Sequence, residues 1–500
     1  MTALLSSKKN WFYLFVIVYG IYLGFNYSVN FSIPGINIFF FLIILCGLVA
    51  SFYTGTVYQQ IMAVIAFSFF GIDTVLFLCF FIVIPPLIFV ISERKALKVK
   101  LPVLIFTFLG IYVLLISIIG NLMEPFWLSS IMGLATYGGG IILFIYFSLF
   151  AYTREKLFNV LSFFRNLIIC QLILVWAQFF IDGSYRPGDY GMGSFGNTGK
   201  SGLFITLLFV YDFLVPILFS KVDLRFLIKR SPYFLFLVFA LILIDAKLIY
   251  LSTVIAIVLC FLGVFATRIM RNRLPVRIIL CLSGALITLT IFFPFFFRFY
   301  LKNFLNETLD LNKIIYMYTK DPEYSQKFTF YKNVYGRMAH EYPATFIFGT
   351  GVGKLGSRAS NTFASDILYK DPASRLPAFI PVYSSSLTKR YMKNLYTKQI
   401  YDTMRWRSAN LSFPFAGIVS IKAEFGLIGL LLFLAGLYLI VVSLIRRSYS
   451  MENDLKNWGL TFAIFGYTLI ILLFFDNYQE MPPVTYPFFI LSSMYLCTKD

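Results

Sequence analysis

Few side chains in this sequence can do chemistry, and most of those are cations. The one histidine, His340, follows Arg337 by three residues and directly precedes Glu341. A single histidine excludes a multi-histidine metal site, and no ligand cluster stands in the segments that face outward. The six cysteines (Cys46, Cys79, Cys170, Cys260, Cys281, Cys497) lie in apolar runs without CxxC spacing, so they read as small buried hydrophobes. No metal and no cofactor is expected. What remains is electrostatic: guanidinium and ammonium groups that can hold a phosphate or another developing anion.

Each candidate has a plainer alternative. The stretch 182–201 sets Arg186 among glycines and ends in Phe195-Gly196-Asn197-Thr198-Gly199-Lys200. Glycine lets backbone N–H groups approach a phosphate or a sugar, and Arg186 brings a planar fork. The same composition also makes an ordinary turn. Lys247 follows Asp245-Ala246 inside an apolar run. An intramembrane charge marks a functional site by default, although pairing with Asp245 or snorkelling would also serve. Arg165 is expected to snorkel inward. Arg337 and Glu341 are four apart, the spacing of a helical surface pair. Glu424 heads the apolar run Phe425-Gly426-Leu427-Ile428-Gly429, as a general base or as a carboxylate favoured at a helix start. Gly349-x-Gly351-x-Gly353 lacks a Walker lysine and a strand–helix setting, which excludes a nucleotide site.

The elements that position these residues must lie in a membrane. Of 500 residues 59% are hydrophobic and 13% charged, and the mean hydropathy is +0.81. A soluble chain runs nearer a quarter charged, so a cytosolic enzyme, a secreted domain and a disordered scaffold are excluded. Span candidates are 11–27, 36–53, 101–120, 131–151, 160–181, 202–219, 278–297, 425–445, 458–475 and 483–497, with the first read as retained. Two longer runs, 58–92 and 233–266, read as hairpins. Their flanking loops, 93–100, 220–232 and 267–277, are rich in Lys and Arg and belong inside. The consistent reading is an all-α polytopic membrane protein of about fourteen spans with both termini cytoplasmic. The net charge of +19 then reflects inner loops rather than nucleic-acid binding. The hairpin 233–266 is short for two spans, so its tip at 245–247 should lie below the outer surface.

The segment 298–412 is polar and lies outside by parity. It separates a bundle over 1–297 from the last spans over 413–500. It holds 17 basic and 8 acidic residues, a balance that implies an anionic partner near the outer face. Within it, 324–342 fits an amphipathic helix with Tyr331, Tyr335, Met338 and Tyr342 on one face and Pro343 as its stop.

In this order the pieces resemble the O-antigen polymerase and O-antigen ligase superfamily of bacterial inner membranes. The resemblance covers roughly 160–445 and is carried best by Phe348-Gly349-Thr350-Gly351-Val352-Gly353 and by Glu424-Phe425-Gly426-Leu427-Ile428-Gly429-Leu430. It implies action on a glycan carried by undecaprenyl diphosphate at the periplasmic face of a lipid bilayer, without nucleotide sugar or metal. The family's basic residue at the hairpin tip matches Lys247, and its arginine ahead of the glycine motif matches Arg337. Ligases carry a histidine shortly before the Glu-x-Gly segment. Here that stretch, 405–415, has none, which favours polymerase. The paired-arginine polymerase pattern, an arginine with a glycine eleven residues on, is not met, since Asn197 and Phe348 stand at those places.

The resemblance thus implies catalytic roles for Arg337, Lys247, Glu424 and His340. It implies diphosphate or glycan contacts for Arg186, Arg358, Asn197, Gly349, Gly351 and Gly353. A chain-length regulator is the candidate protein partner. The alternatives are a ligase that moves finished glycan to lipid A core or protein, and a polysaccharide flippase. The flippase fits the span number, but no internal repeat and a long outer loop speak against it.

Overall fold

The structure, a computed structural model, describes residues 18–23, 39, 43, 46–48, 50–52, 55–70, 83–90, 100–182, 193–195, 198–219, 230–244, 246–266, 326–363, 384–395 and 416–499. Among these residues every named element is helical. Six helices are long and apolar enough to cross a membrane: Leu101–Met123, Trp127–Phe147, Arg154–Ile181, Gly199–Phe219, Gly417–Ser448 and Asp454–Leu472. The protein is a multi-pass, all-helical membrane protein. One helix face makes the point directly. Leu104, Phe108, Ile111, Leu115, Ile118 and Leu122 are all exposed and recur every three or four residues, so they form an apolar stripe of the kind that faces lipid.

The helices, in chain order, are α1 (Val57–Phe70), α2 (Lys100–Met123), α3 (Trp127–Phe147) and α4 (Arg154–Asp182). Helix α5 (Thr198–Phe209) runs on through a π-helical stretch, Val210–Leu214, into Val215–Phe219. Helices α6 (Ser231–Ile244) and α7 (Lys247–Ala266) follow. The segment 298–412 contributes α8 (Gln326–Tyr331), prolonged by a π-helical stretch Lys332–Met338 and by Ala339–Glu341. It also contributes the short helices α9 (Pro343–Phe348), α10 (Arg358–Phe363) and α11 (Ser386–Tyr391). Helices α12 (Gly417–Ser448), α13 (Asn453–Leu472) and α14 (Pro482–Leu496) complete the bundle.

Between helices in lipid, close packing replaces hydrophobic transfer as the cohesive force. Gly139 and Gly140 of α3 lie directly against the rings of Tyr486 and Phe489 of α14. Phe69, Phe164, Phe195 and Phe204 form an aromatic knot that joins α1, α4 and α5, with centroids 4.6–6.2 Å apart. Helix α12 packs along α13 and α2, and α13 along α7.

The run 233–266 folds as two helices, α6 ending at Ile244 and α7 beginning at Lys247. Helix α6 has 14 residues, about 21 Å at ~1.5 Å per residue, against a ~30 Å hydrocarbon core. Tyr250 latches the turn: its hydroxyl donates to Leu241 O at 2.6 Å and accepts from Ala246 N at 3.3 Å. Arg165 departs from the snorkelling expectation. Its guanidinium reaches both oxygens of Asp212, at 3.0 and 3.2 Å, and Tyr233 donates to the same carboxylate at 2.9 Å. Asp212 is 3% exposed, and a buried carboxylate draws in the nearest cation. The run 202–219 is longer than expected, since its helix starts at Thr198.

Candidate functional site

The segment that carries Arg337 meets α12 in one interlocked unit; Glu424, expected at a helix start, lies inside α12, which begins at Gly417. Helix α12 is not continuous. Gly426 adopts φ 73° and ψ −179°, a conformation closed to other residues, and the helix breaks there. The break leaves carbonyls without helical donors. The glycine loop after α9 supplies replacements: Thr350 N donates to Ala423 O at 3.1 Å and Gly351 N to Glu424 O at 3.0 Å. The two backbones touch, because a Cβ on Gly349 would meet Glu424 and Gly426, and a Cβ on Gly426 would meet Ile347 and Gly349. Irregular backbone beside lipid persists only when protein satisfies it in this way.

Glu424 is fully buried. Its carboxylate accepts Gly353 N and Leu355 N, each at 2.9 Å. The far side of the loop is held by the α2–α3 turn. Ser129 and Ser130 donate to Gly353 O and Val352 O at 2.6 Å each, and Val352 N donates to Ser117 Oγ at 3.2 Å. Lys354 donates to Gly120 O and Glu124 O at the C-terminus of α2, where a cation suits the helix dipole. Burial still pushes its ammonium below the usual lysine range. Glu124 caps α11 in turn, accepting Ser386 N at 2.8 Å and Ser386 Oγ at 3.0 Å.

A second buried carboxylate anchors the loop's exit. Glu480, in the turn between α13 and α14, is 0% exposed and accepts Arg358 N at 2.6 Å and the Tyr137 hydroxyl at 2.8 Å. Burial, with the nearby Glu424 charge, pushes its carboxyl up to about 8. The chain from Gly353 to Arg358 is therefore slung between Glu424 and Glu480.

Arg337 and His340 lie on the exposed side of α8 and its extension. Arg337 Nε donates to Glu341 at 2.8 Å, and Arg390 Nε holds the other oxygen of Glu341 at 2.8 Å. The Tyr391 hydroxyl also donates to Glu341. This hydroxyl first, then the Arg337 guanidinium, holds the Glu341 carboxyl down at about 2. The segment 326–341 is helical as expected, but its buried face is Phe330, Val334 and Met338. The π-helical stretch shifts the register, leaving Tyr331 and Tyr335 half-buried and stacked at 6.0 Å. Pro343 starts α9, and Tyr342 is exposed outside the helix. Lys422 joins the two halves of the unit: its ammonium donates to Val334 O at 3.2 Å and lies 3.3 Å from the Phe346 ring centroid.

The sequence-predicted residues thus separate into groups. Glu424, Gly349, Gly351 and Gly353 come together as a backbone lock, and this geometry accounts for the glycines without a ligand. Arg358 joins that lock through its backbone, with its side chain half-buried. Arg337 and His340 share the exposed side of α8 and its extension. Lys247 opens α7, while its side chain lies outside the described residues, as do Arg186 and Asn197. Sequence reasoning missed Arg390, Glu480 and Lys422. A carboxylate in the turn between the last two spans was a readable signal for Glu480; Arg390 carries none. Among the described residues no group of three His, Cys, Asp or Glu could hold a metal. No family model matches this chain, and no curated protein matches it.

Proposed function

We propose that the chain is a polysaccharide polymerase of the O-antigen polymerase type, a metal-independent glycosyltransferase of the bacterial inner membrane. In this reading it crosses the membrane about fourteen times. Both termini are cytoplasmic, and 298–412 forms the large periplasmic loop. One lipid-linked glycan is the donor. A sugar hydroxyl of a second attacks its anomeric carbon, the bond from that carbon to the diphosphate oxygen breaks, and undecaprenyl diphosphate leaves. The hydroxyl proton passes to a base.

The observation that carries this reading is the placement of Arg337. Its guanidinium is half-exposed, with the side chain at 52%, and held through Nε by Glu341. Its terminal nitrogens are left for an incoming anion. Charge building on the leaving diphosphate is the costly part of the transfer, and a pre-oriented guanidinium stabilises it. Lys247 and Arg186 add further cations in this account. Of the two candidate bases, Glu424 already accepts two backbone N–H groups inside the lock. His340, exposed beside Arg337, is the one that an acceptor hydroxyl reaches.

Deleting the gene and running the surface glycan on a gel tests the proposal. Single-repeat glycan supports polymerase. Unattached long chains mean ligase, and lipid intermediates trapped inside mean flippase.

A further inference from the structure

The outer segment carries more positive charge than one donor diphosphate can use. Lys332, Lys389, Arg390 and Lys393 are all exposed. They sit on neighbouring elements. Lys389 and Arg390 close α11, and Lys393 starts the short turn after it. Asn333, next to Lys332, donates to Tyr391 O at 2.8 Å. Across the described residues 326–363 and 384–395 the sole acidic residue is Glu341, and Arg337 and Arg390 already share it. Among the described residues no ion pair involves Lys332, Lys389 or Lys393. Like charges grouped this way repel, and they hold a positive potential over the surface that an anionic partner relieves.

Two observations say what kind of anion. The exposed positions of 384–395 are Ser386, Lys389, Arg390, Lys393 and Asn394, all polar. A patch that docks on lipid interleaves its cations with apolar side chains that insert; 384–395 exposes none, and the exposed rings of Phe328 and Tyr342 belong to α8 and to the residue before α9. Beside it, the Arg390 guanidinium lies 5.7 Å from the ring centroid of Tyr342, which is 39% exposed. Arg390 Nε is held by Glu341 and Nη1 reaches the Tyr342 hydroxyl at 3.5 Å, so the pair offers a sugar ring a flat surface and its carboxylate the remaining guanidinium N–H groups.

We propose that this face selects acidic glycans: the chain on which the protein acts carries sugar carboxylates, and Arg390, with Lys389 and Lys393, distinguishes it from a neutral chain. The inference rests on the polymerase reading and adds its substrate class. Arg390 is a specificity-determining residue, and Glu341 positions it.

The test uses the full chain in nanodiscs of neutral phosphatidylcholine. The probes are hyaluronan oligosaccharides, which carry a carboxylate on alternate sugars, and the same oligosaccharides with carboxyls reduced to alcohols. The charged form should bind roughly tenfold tighter, and the preference should fall as salt screens it. Lys389→Gln with Lys393→Gln should weaken binding of the charged form only. Both side chains are exposed, so thermal unfolding of this variant should match the parent. Arg390→Gln should weaken it further. Equal binding of the two probes, or unchanged binding in the variants, overturns the proposal. It is also overturned if the variants lose only their association with phosphatidylglycerol vesicles, since the patch then faces lipid. If polymer forms from neutral repeats at full rate, this inference falls and the polymerase reading stands. If the hyaluronan preference holds but no polymer forms from any repeat, the polymerase reading falls.

Discussion

The carboxylate of Glu424 receives the backbone N–H of Gly353 at 2.9 Å. One buried side chain on a broken transmembrane helix thereby fixes a glycine loop that lies 71 residues earlier in the chain. Arg337 stands on the helix just before that loop, so the lock also sets where Arg337 can be.

Glu424→Ala removes an acceptor from two buried N–H groups. Each group left unsatisfied costs about 1–3 kcal/mol. Thermal unfolding in detergent should show a clearly lower midpoint, with Glu424→Gln in between. A normal midpoint with activity abolished would instead make Glu424 a catalytic base.

Gly426→Ala should fail more severely. It combines a positive φ with contact against the backbone of Ile347. Membrane-inserted protein should drop well below parental levels. Gly110→Ala is the matched control, because a Cβ there meets nothing within 4 Å. It should be neutral or gain up to about 1 kcal/mol from helix propensity.

Stability should depend on pH through Glu480. Its folded value of about 8 lies above the ordinary 4.5, so the folded state binds the extra proton between those values. Stability should be fullest below about 4.5, fall as pH climbs to about 8, and level off above. Glu480→Gln should flatten this slope, as followed by unfolding midpoint against pH. An unchanged slope would place the titration elsewhere.

The Arg165–Asp212 pair should show strong coupling. Arg165→Met alone leaves Asp212 buried without its cation, held only by the Tyr233 hydroxyl, which costs about 3–5 kcal/mol. Adding Asp212→Leu should recover much of that loss. A double-mutant cycle in unfolding free energy reads the coupling, and additive losses would deny it.

Much of the bundle was legible in the sequence because lipid imposes a coarse rule, long apolar helices with polar breaks. That rule found the cores of α2 to α5 and of α12 to α14, and 233–266 divides into two helices, α6 and α7. It missed the break in α12, since Gly426 inside an apolar run looks like an ordinary helical glycine until another backbone is seen against it. Of the four residues it put on one face of 324–342, only Met338 is buried, because a π-helical stretch shifts the spacing that a 3.6-residue period assumes. In the site, residue type alone flagged Arg337, His340 and Glu424. Their separation into an exposed cationic helix and a buried lock was not legible, because it depends on Glu480, Lys354 and Lys422 meeting backbone groups far away in the chain.

Arg337 is proposed to stabilise the leaving diphosphate as lipid-linked glycans are joined. The most direct measurement reconstitutes the purified protein with an undecaprenyl-diphosphate-linked repeat unit and follows chain length on a gel together with released undecaprenyl diphosphate. The parent protein should give a ladder and stoichiometric release. Arg337→Ala should lower the rate about a hundredfold or more with an unchanged unfolding midpoint, and Arg337→Lys should recover little, since an ammonium lacks the planar fork. Full-length polymer from Arg337→Ala, or no ladder from the parent protein, would contradict this proposal.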